Sequence, residues 1–408
     1  MKVLHLNSSD SLGGAAIAGY RLHQGLLAKG LDSRLLVGVS QLGDDDTAVI
    51  PRHKWLEMLI AKLTWRFGFN DFHCTSSFAI PDHYFYKEAD ILNFHNLHGS
   101  YLNYLAIPRL TENKPAVYTL HDMWSFTGHC IYSYDCDRWQ TGCGKCPYPD
   151  TYPGIKTDNT NWEWKLKHKV YSRSKLVIVT LSRWLTEQAQ KSMLNCFPIH
   201  HIPNGIDTQI YQPLDPDLCK FVLGIPTGKK VLMFGAQSLA DHRKGGDLLL
   251  QALQQLPDSL KAETVLLTVG GDNIKSSEVF GMDILNLGYL SSDRLKVIAY
   301  SAADLFVFPT RADNLPLVLQ ESMACGTPMV SFDIGGVPDL VRPKITGYLA
   351  KPEDAKDLAD GIVQILDDQN LQEFMSQQCR AIALKEYSLE LQAQQYVDLY
   401  RQTLAVNS

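Results

Sequence analysis

Apolar residues along the chain fall into short runs separated by longer stretches with helical spacing. Residues 3–6 read as a strand. Gly13-Gly14-Ala15-Ala16 opens a helix reaching about Lys29, and Gly30 ends it. Further strands are predicted at 33–37, 91–94, 116–120 and 176–181. A second series begins near residue 229, with strands at 231–234, 264–269, 284–287, 305–308 and 328–331. Helical stretches at 246–256, 292–301 and 316–324 separate them. Such alternation implies a mostly parallel sheet with helices on both faces, here twice over. Ile202-Pro203-Asn204-Gly205-Ile206-Asp207 lies near the junction, and an amphipathic tail at 389–404 carries Leu391, Tyr396, Leu399 and Tyr400 at one-face spacing.

The chain has 408 residues, more than one compact core usually holds, so two domains are expected. A net charge of −6 argues against a nucleic-acid binder, which needs a basic face. Apolar runs of the length of a membrane span are absent, and the apolar stretch at the N-terminus is shorter than a signal-peptide core. A cytoplasmic protein is expected, and its nine cysteines are then thiols or metal ligands rather than disulfides.

Five motifs carry candidate chemistry. Gly13 and Gly14 lie between a strand and a helix, where backbone N–H groups and the helix dipole can face a phosphate. They lack the G-x-G-x-x-G spacing of nicotinamide enzymes. His95-Asn96-Leu97-His98-Gly99 and His121-Asp122 each follow a strand, at the end that faces ligand in open α/β sheets. Asp241-His242-Arg243-Lys244-Gly245-Gly246 places two cations beside a helix start, which suits a diphosphate. Asp313-Asn314-Leu315-Pro316 through Glu321, then Cys325-Gly326-Thr327-Pro328, sets one carboxylate on a loop and a second inside a helix. Pro316 is expected at the first helical position. The two acids could hold two ends of a polyol.

The spacing from Asp313 to Glu321 resembles the E-x7-E element of the retaining glycosyltransferases of family 4. Phe308-Pro309-Thr310, Gly335-Gly336-Val337-Pro338-Asp339 and Gly347-Tyr348-Leu349 belong to the same pattern, as do Arg243-Lys244-Gly245, Pro203-Asn204-Gly205-Ile206-Asp207 and Gly13-Gly14-Ala15. The match runs along nearly the whole chain. The resemblance implies a GT-B fold: two Rossmann-like domains facing a central cleft, an acceptor-side domain at 1–202 with the helix at 387–408 packed back on it, and a donor-binding domain at 203–386. It implies transfer of a sugar from a UDP- or GDP-sugar to a glycan or lipid-linked acceptor in exopolysaccharide or cell-envelope glycan synthesis, without a catalytic metal.

By the same likeness Glu321 would hold the donor ribose and Asp313 the donor sugar. Lys244 would neutralise the diphosphate, Gly14 beside Gly13 would supply backbone donors, and His121 would lie near the transferred sugar. Leu287-Gly288-Tyr289-Leu290 would line the base pocket, with Asn314 and Leu315 beside the acids. Two departures stand out. Asp313 is a methylene shorter than glutamate, and Ala236 stands where members often carry Arg, so that Arg243 is the candidate to supply the charge. Alternative readings are a sugar-binding protein that has lost catalysis and a sugar-nucleotide epimerase or phosphorylase on the same fold.

Cys130, Cys136, Cys143 and Cys146 lie within seventeen residues. The Cys143-x2-Cys146 spacing suits a structural zinc, with His129 as another ligand candidate, against the alternative of free or redox-active thiols. Leu56, Leu59, Ile60, Leu63 and Phe67 recur at helical spacing among Lys54, Trp55, Lys62, Trp65 and Arg66. That composition suits a helix packed on the first domain or one lying on an anionic membrane surface.

Overall fold

A computed structural model of the chain describes residues 1–236, 241–271 and 281–407. It divides into two compact units, Met1–Gly205 with Leu389–Ser408, and Ile206–Ser388.

Unit 1 holds β1 (Lys2–Ser9), β2 (Asp32–Val39), β3 (Thr47–Val49), β4 (Ile91–His95), β5 (Ala116–Leu120), β6 (Leu176–Thr180) and β7 (Ile199–His201). They form one parallel sheet in the order β3-β2-β1-β4-β5-β6-β7. Unit 2 holds β8 (Lys230–Ala236), β9 (Thr264–Gly270), β10 (Asp283–Asn286), β11 (Leu305–Phe308), β12 (Met329–Phe332) and β13 (Gly347–Ala350). Its parallel order is β10-β9-β8-β11-β12-β13. Each sheet therefore starts in its middle, runs outward on one side and then outward on the other. Parallel strands need crossovers that cover both faces, so their sequences are nearly continuous apolar runs. β4, β5, β11 and β12 are buried along their whole length.

Successive side chains alternate between the two faces of the unit 1 sheet. Leu4, Leu6, Leu92, Phe94 and Tyr118 join one core. Val3, Ile91 and Val117 join the other, with Leu22 and Leu26 of the helix Gly14–Ala28 and Ala393, Tyr396 and Tyr400 of the helix Leu389–Asn407. The last helix thus closes unit 1. Glycines permit the contact: a Cβ on Gly25 would meet Leu389 and Ala393 at 3.1–3.2 Å, and one on Gly205 would lie 2.7 Å from Leu389 Cα. On this face Thr119 Oγ1 donates to Asn93 Oδ1 (3.0 Å), Tyr396 OH bonds Thr119 Oγ1 (2.9 Å), and Asn93 Nδ2 donates to Tyr400 OH (2.7 Å).

The structure corrects several sequence-based bounds. β3, β7 and β13 were not among the predicted strands. β3 and β7 are three residues long and partly exposed, which leaves little apolar pattern. β12 begins at Met329 because Pro328 has no N–H; its carbonyl only accepts, from Phe306 N. Pro316 is the N-cap rather than the first helical residue: its extended ψ of 124° precedes a helix at Leu317–Ala324.

Tyr400→Phe removes the acceptor of a buried amide and is expected to destabilise the protein by about 1–3 kcal/mol. Thermal unfolding should show a fall of roughly 2–4 °C per kcal/mol. An unchanged midpoint would show that Asn93 finds another partner.

Candidate functional site

In an open parallel sheet, ligands bind beyond the carboxyl ends of the strands, where the order reverses. In unit 2 that point lies between β8 and β11, which are hydrogen-bonded neighbours. The loop after β8 carries Arg243 and Lys244, and the loop after β11 carries Asp313.

Asp241 caps the turn His242–Lys244 by accepting from Arg243 N at 3.0 Å. Gly245 follows at φ 68°, and a Cβ there would lie 1.8 Å from Pro309 O, so the two loops meet backbone to backbone. Arg311 N and Thr310 Oγ1 both donate to Arg243 O. Against this frame Lys244 Nζ lies 2.7 Å and Arg243 Nη1 3.0 Å from the same oxygen, Asp313 Oδ2. Gly335 allows the close approach on the other side, where Gly336 N donates to Asp313 O and a Cβ at 335 would lie 2.2 Å from it. Burial works to raise the Asp313 carboxyl, but Lys244 and Arg243 overcome it and hold the group below the usual carboxylate range.

Glu321 is buried inside the helix Leu317–Ala324 and accepts from Tyr300 OH at 3.4 Å. Asn314 and Leu315 are buried beside Asp313. Leu290 lies between β10 and the helix Asp293–Ala302, a half-buried residue beside exposed Tyr289. Ala236 ends β8, and Arg243 reaches Asp313 from the following loop. Sequence reasoning missed Arg311, which holds this loop by donating to His242 O and to both oxygens of Asp247.

In unit 1, Gly13 caps the helix Gly14–Ala28 at φ 88°, and a Cβ on either Gly13 or Gly14 would meet nothing within 4 Å. The helix start is therefore open to a ligand. The histidine motifs converge. His98 Nε2 lies 2.8 Å from Asp122 Oδ2, and His95 Nδ1 lies 3.1 Å from His121 Nε2. Burial pushes His121 down to about 4, and it pushes His95 well below its ordinary value. Both rings are neutral at pH 7. The loop after β5 is braced by a residue not singled out from sequence: Lys167 Nζ donates to Trp124 O (2.6 Å) and Thr127 O (3.0 Å) and sits 3.6 Å from the Trp124 ring centroid.

Cys130, Cys136, Cys143 and Cys146 lie farther along the same loop, and Thr127 Oγ1 donates to Cys130 O at 2.6 Å. Gly128 N donates to Cys143 Sγ at 3.2 Å, and His129 Nε2 lies 3.1 Å from Cys146 Sγ. Burial pushes the Cys130 thiol up to about 12 and Cys143 up to about 11, which favours thiols over thiolates. Among the described residues no three His, Cys, Asp or Glu side chains, those of Cys130, Cys136, Cys143 and Cys146 included, converge as metal ligands.

The helix Lys54–Arg66 does not pack as an apolar face. Its one buried residue is Glu57, which accepts from Arg52 Nε (2.6 Å) and Ser76 N (2.9 Å). Trp55 is 71% and Leu63 61% exposed, with Leu56, Met58, Leu59, Trp65 and Phe67 also outward. No helix among the described residues is long and apolar enough to cross a membrane.

Two family models match in succession, Glycosyltransferase Family 4 over residues 12–210 and Glycosyl transferases group 1 over residues 217–381. The chain belongs to glycosyltransferase family 4. This glycosyltransferase is 27% identical to the glycosyl transferase WcaC of Escherichia coli (strain K12), whose name assigns it to colanic acid biosynthesis, over 98% of this chain and 100% of that one. Its fold is GT-B. Sucrose-phosphate synthase from Thermosynechococcus elongatus superposes with a TM-score of 0.72 at 19% identity, covering 100% of both chains. Anabaena HepE in complex with UDP superposes with a TM-score of 0.68 at 17% identity, covering 98% of this chain and 100% of that one.

Asp313→Asn is expected to take the shared carboxylate from Lys244 and Arg243 and to destabilise unit 2 by about 1–3 kcal/mol at pH 7. Because the folded Asp313 pKa is depressed, its contribution is present above the unfolded pKa of about 3.9 and lost as pH falls through the folded value. Urea midpoints of wild type and variant should therefore differ at pH 7 and converge in acid.

Proposed function

We propose that this glycosyltransferase transfers a sugar, with retention, from a UDP- or GDP-sugar to a glycan or lipid-linked acceptor in exopolysaccharide or cell-envelope glycan synthesis. The observation that carries this reading is the Asp313 carboxylate shared by Lys244 and Arg243 at the strand-order reversal of unit 2. Both cations turn toward one carboxylate oxygen, with Asp241 3.5 Å from Arg243 Nη2, on loops already locked together, where a diphosphate can take up their hydrogen bonds. The names of the relatives support it: WcaC is assigned to colanic acid, and HepE is described in complex with UDP and with UDP-glucose.

In this reading the bond from the anomeric carbon to the diphosphate breaks, and negative charge grows on the leaving phosphate. Lys244 and Arg243 stabilise that charge more as it develops, which accelerates the step without calling on a catalytic metal. The helix start at Gly13 and Gly14 adds backbone donors. Glu321 holds the ribose, Asp313 the sugar, and Leu290, Asn314 and Leu315 line the donor pocket. His121, neutral at pH 7, orients the sugar by a hydrogen bond. The acceptor hydroxyl attacks from the face that the diphosphate leaves, and a phosphate oxygen takes its proton.

The outward face of the helix Lys54–Arg66 supports a lipid-linked acceptor. Lys54, Lys62 and Arg66 flank exposed Trp55, Leu59 and Leu63, and Lys156 Nζ lies 3.5 Å over the Trp65 ring. The acid of that helix, Glu57, is turned inward and paired. Cations around an apolar face fit the anionic surface of a bilayer, at the cytoplasmic side.

Calorimetry of the full chain with UDP, GDP, ADP and CMP should show binding of UDP or GDP. Glu321→Ala should weaken it by about 1.5–3 kcal/mol, and Lys244→Ala should lower turnover by about 100-fold. Binding of neither UDP nor GDP, or wild-type turnover in Lys244→Ala, would overturn the donor site. In flotation assays the protein should rise with phosphatidylglycerol-containing vesicles and stay behind with phosphatidylcholine alone. A Trp55→Glu/Leu63→Glu double variant that still floats would rule this helix out as the contact.

A further inference from the structure

The helix Lys54–Arg66 ends against a second piece of chain. A recess of about 560 Å³ opens there, lined by Lys62, Trp65, Arg66, Phe67, Lys156 and Thr157. Gly68 turns the chain back at φ 71°, and a Cβ on it would lie 2.0 Å from Thr157 O, so only glycine lets the two segments meet. Thr157 Oγ1 donates to Arg66 O at 3.0 Å, and Asn159 Nδ2 donates to Phe67 O. Two carbonyls at the helix end, which lack partners within the helix, are thus satisfied by the segment that carries Lys156. Backbone contacts therefore fix the walls of the recess.

Its charge is one-sided. Lys62 and Arg66 are four residues apart on the helix, so they share a face, where like charges repel. Lys156 brings a third cation from the other segment, with its Nζ 3.5 Å from the Trp65 ring centroid. Among the described residues none of the three is ion-paired. The acids close to them in sequence are engaged elsewhere. Asp158 accepts from Cys146 N, Thr160 N and Thr160 Oγ1; Glu57 is held by Arg52 and Ser76 N; Asp71 is buried and accepts from Ser100 N. The helix C-terminus favours cations and offsets part of their repulsion. An anion would relieve the rest. A phosphodiester, with one charge, matches one of the three cations, whereas a phosphomonoester brings about two charges and three acceptor oxygens.

The rings decide where that phosphate is carried. Trp65 is 51% and Phe67 48% exposed, and both line the recess. A phosphate free in water gains nothing from rings held in solvent. One at a bilayer surface lets them enter the interface, where Trp is favoured. We propose that the recess is a headgroup site for a membrane lipid whose phosphate carries two negative charges, as a phosphomonoester or a diphosphate. This rests on the membrane contact proposed above for the same helix and adds a lipid class to it. A cationic helix face responds to the density of negative charge on the membrane, whereas the recess responds to the charge on a single phosphate. Lys62, Arg66 and Lys156 take the phosphate oxygens, and Trp65 and Phe67 enter the interface beside them.

Flotation of the full chain should be compared on two kinds of phosphatidylcholine vesicle. One contains phosphatidic acid, a phosphomonoester; the other contains enough phosphatidylglycerol, a phosphodiester, to give the same surface potential. Binding to the phosphatidic acid vesicles is expected to be about fivefold tighter, the worth of one further cation contact at a membrane surface. Lys156→Gln, outside the helix, should abolish that preference. Lys54→Gln removes the same charge from the helix away from the recess; it should weaken binding to both vesicles alike and keep the preference. Equal binding of both vesicles by the intact protein, or the same effect from both variants, would overturn the headgroup site and leave the membrane contact standing. Binding to neither vesicle would overturn both and leave the donor site of unit 2 standing. Calorimetric binding of inorganic phosphate that Lys156→Gln removes, without any preference between vesicles, would overturn the lipid and assign the recess to a soluble anion.

Discussion

Everything at the candidate site depends on where each sheet begins. β1 and β8 are both first in sequence and central in space, so the chain must wind outward from them in two directions. At the reversal, neighbouring crossovers run to opposite faces and leave the strand ends between them uncovered. That gap is a consequence of parallel pairing and right-handed crossovers, and it would exist without any ligand. In unit 1 the loops at the reversal carry Gly13 and Gly14 after β1 and His98 after β4, whose last residue is His95; in unit 2 they carry Arg243 and Lys244 after β8 and Asp313 after β11.

Each unit equips its own reversal with different electrostatics. In unit 2 the groups are charged, and burial is tolerated because Asp313 takes hydrogen bonds from both Lys244 and Arg243. Such a cluster is costly to break and leaves cations that a phosphate can use. In unit 1 the imidazoles of His5, His95 and His121 stay neutral, because desolvation outweighs any nearby carboxylate. A neutral row can orient hydroxyl groups but has little to offer a dianion.

The strands were legible where both faces are buried, as in β5 and β11, whose bounds follow from apolar runs alone. β3 and β7 were not, because three half-exposed residues carry no periodicity. Site residues were legible as strand-end motifs, but their partners were not. His95 and His121 are 26 residues apart and meet only because β4 pairs with β5 in the register His95 to Thr119. His5 read as one residue of an apolar strand, since spacing does not say which strand is its neighbour. The helix Lys54–Arg66 shows the converse failure. Its apolar spacing reads equally well as a packed face, yet the group that anchors it is the carboxylate of Glu57, bonded to a backbone N–H and an arginine.

The row of histidines, in which His95 lies 3.0 Å from His5 and 3.1 Å from His121, also ties the chemistry of unit 1 to the far end of the chain. Its neighbours on the same sheet face are Asn93 and Thr119, whose polar atoms are satisfied by Tyr400 and Tyr396. A polar layer between sheet and helix is worth keeping only when every member is bonded, since each lost partner costs more than the bond contributes. Asn93 and Thr119 are therefore paired only with the helix Leu389–Asn407 in place. That contact joins residues 277 and 307 positions apart, so its loop-closure entropy is set against apolar burial of Val3, Leu22 and Leu26 with Ala393, Val397 and Tyr400. The small side chain of Ala393 and the absence of one at Gly25 let the two helices come close enough for that burial to prevail. Loss of this packing would loosen the sheet face on which the imidazole row stands.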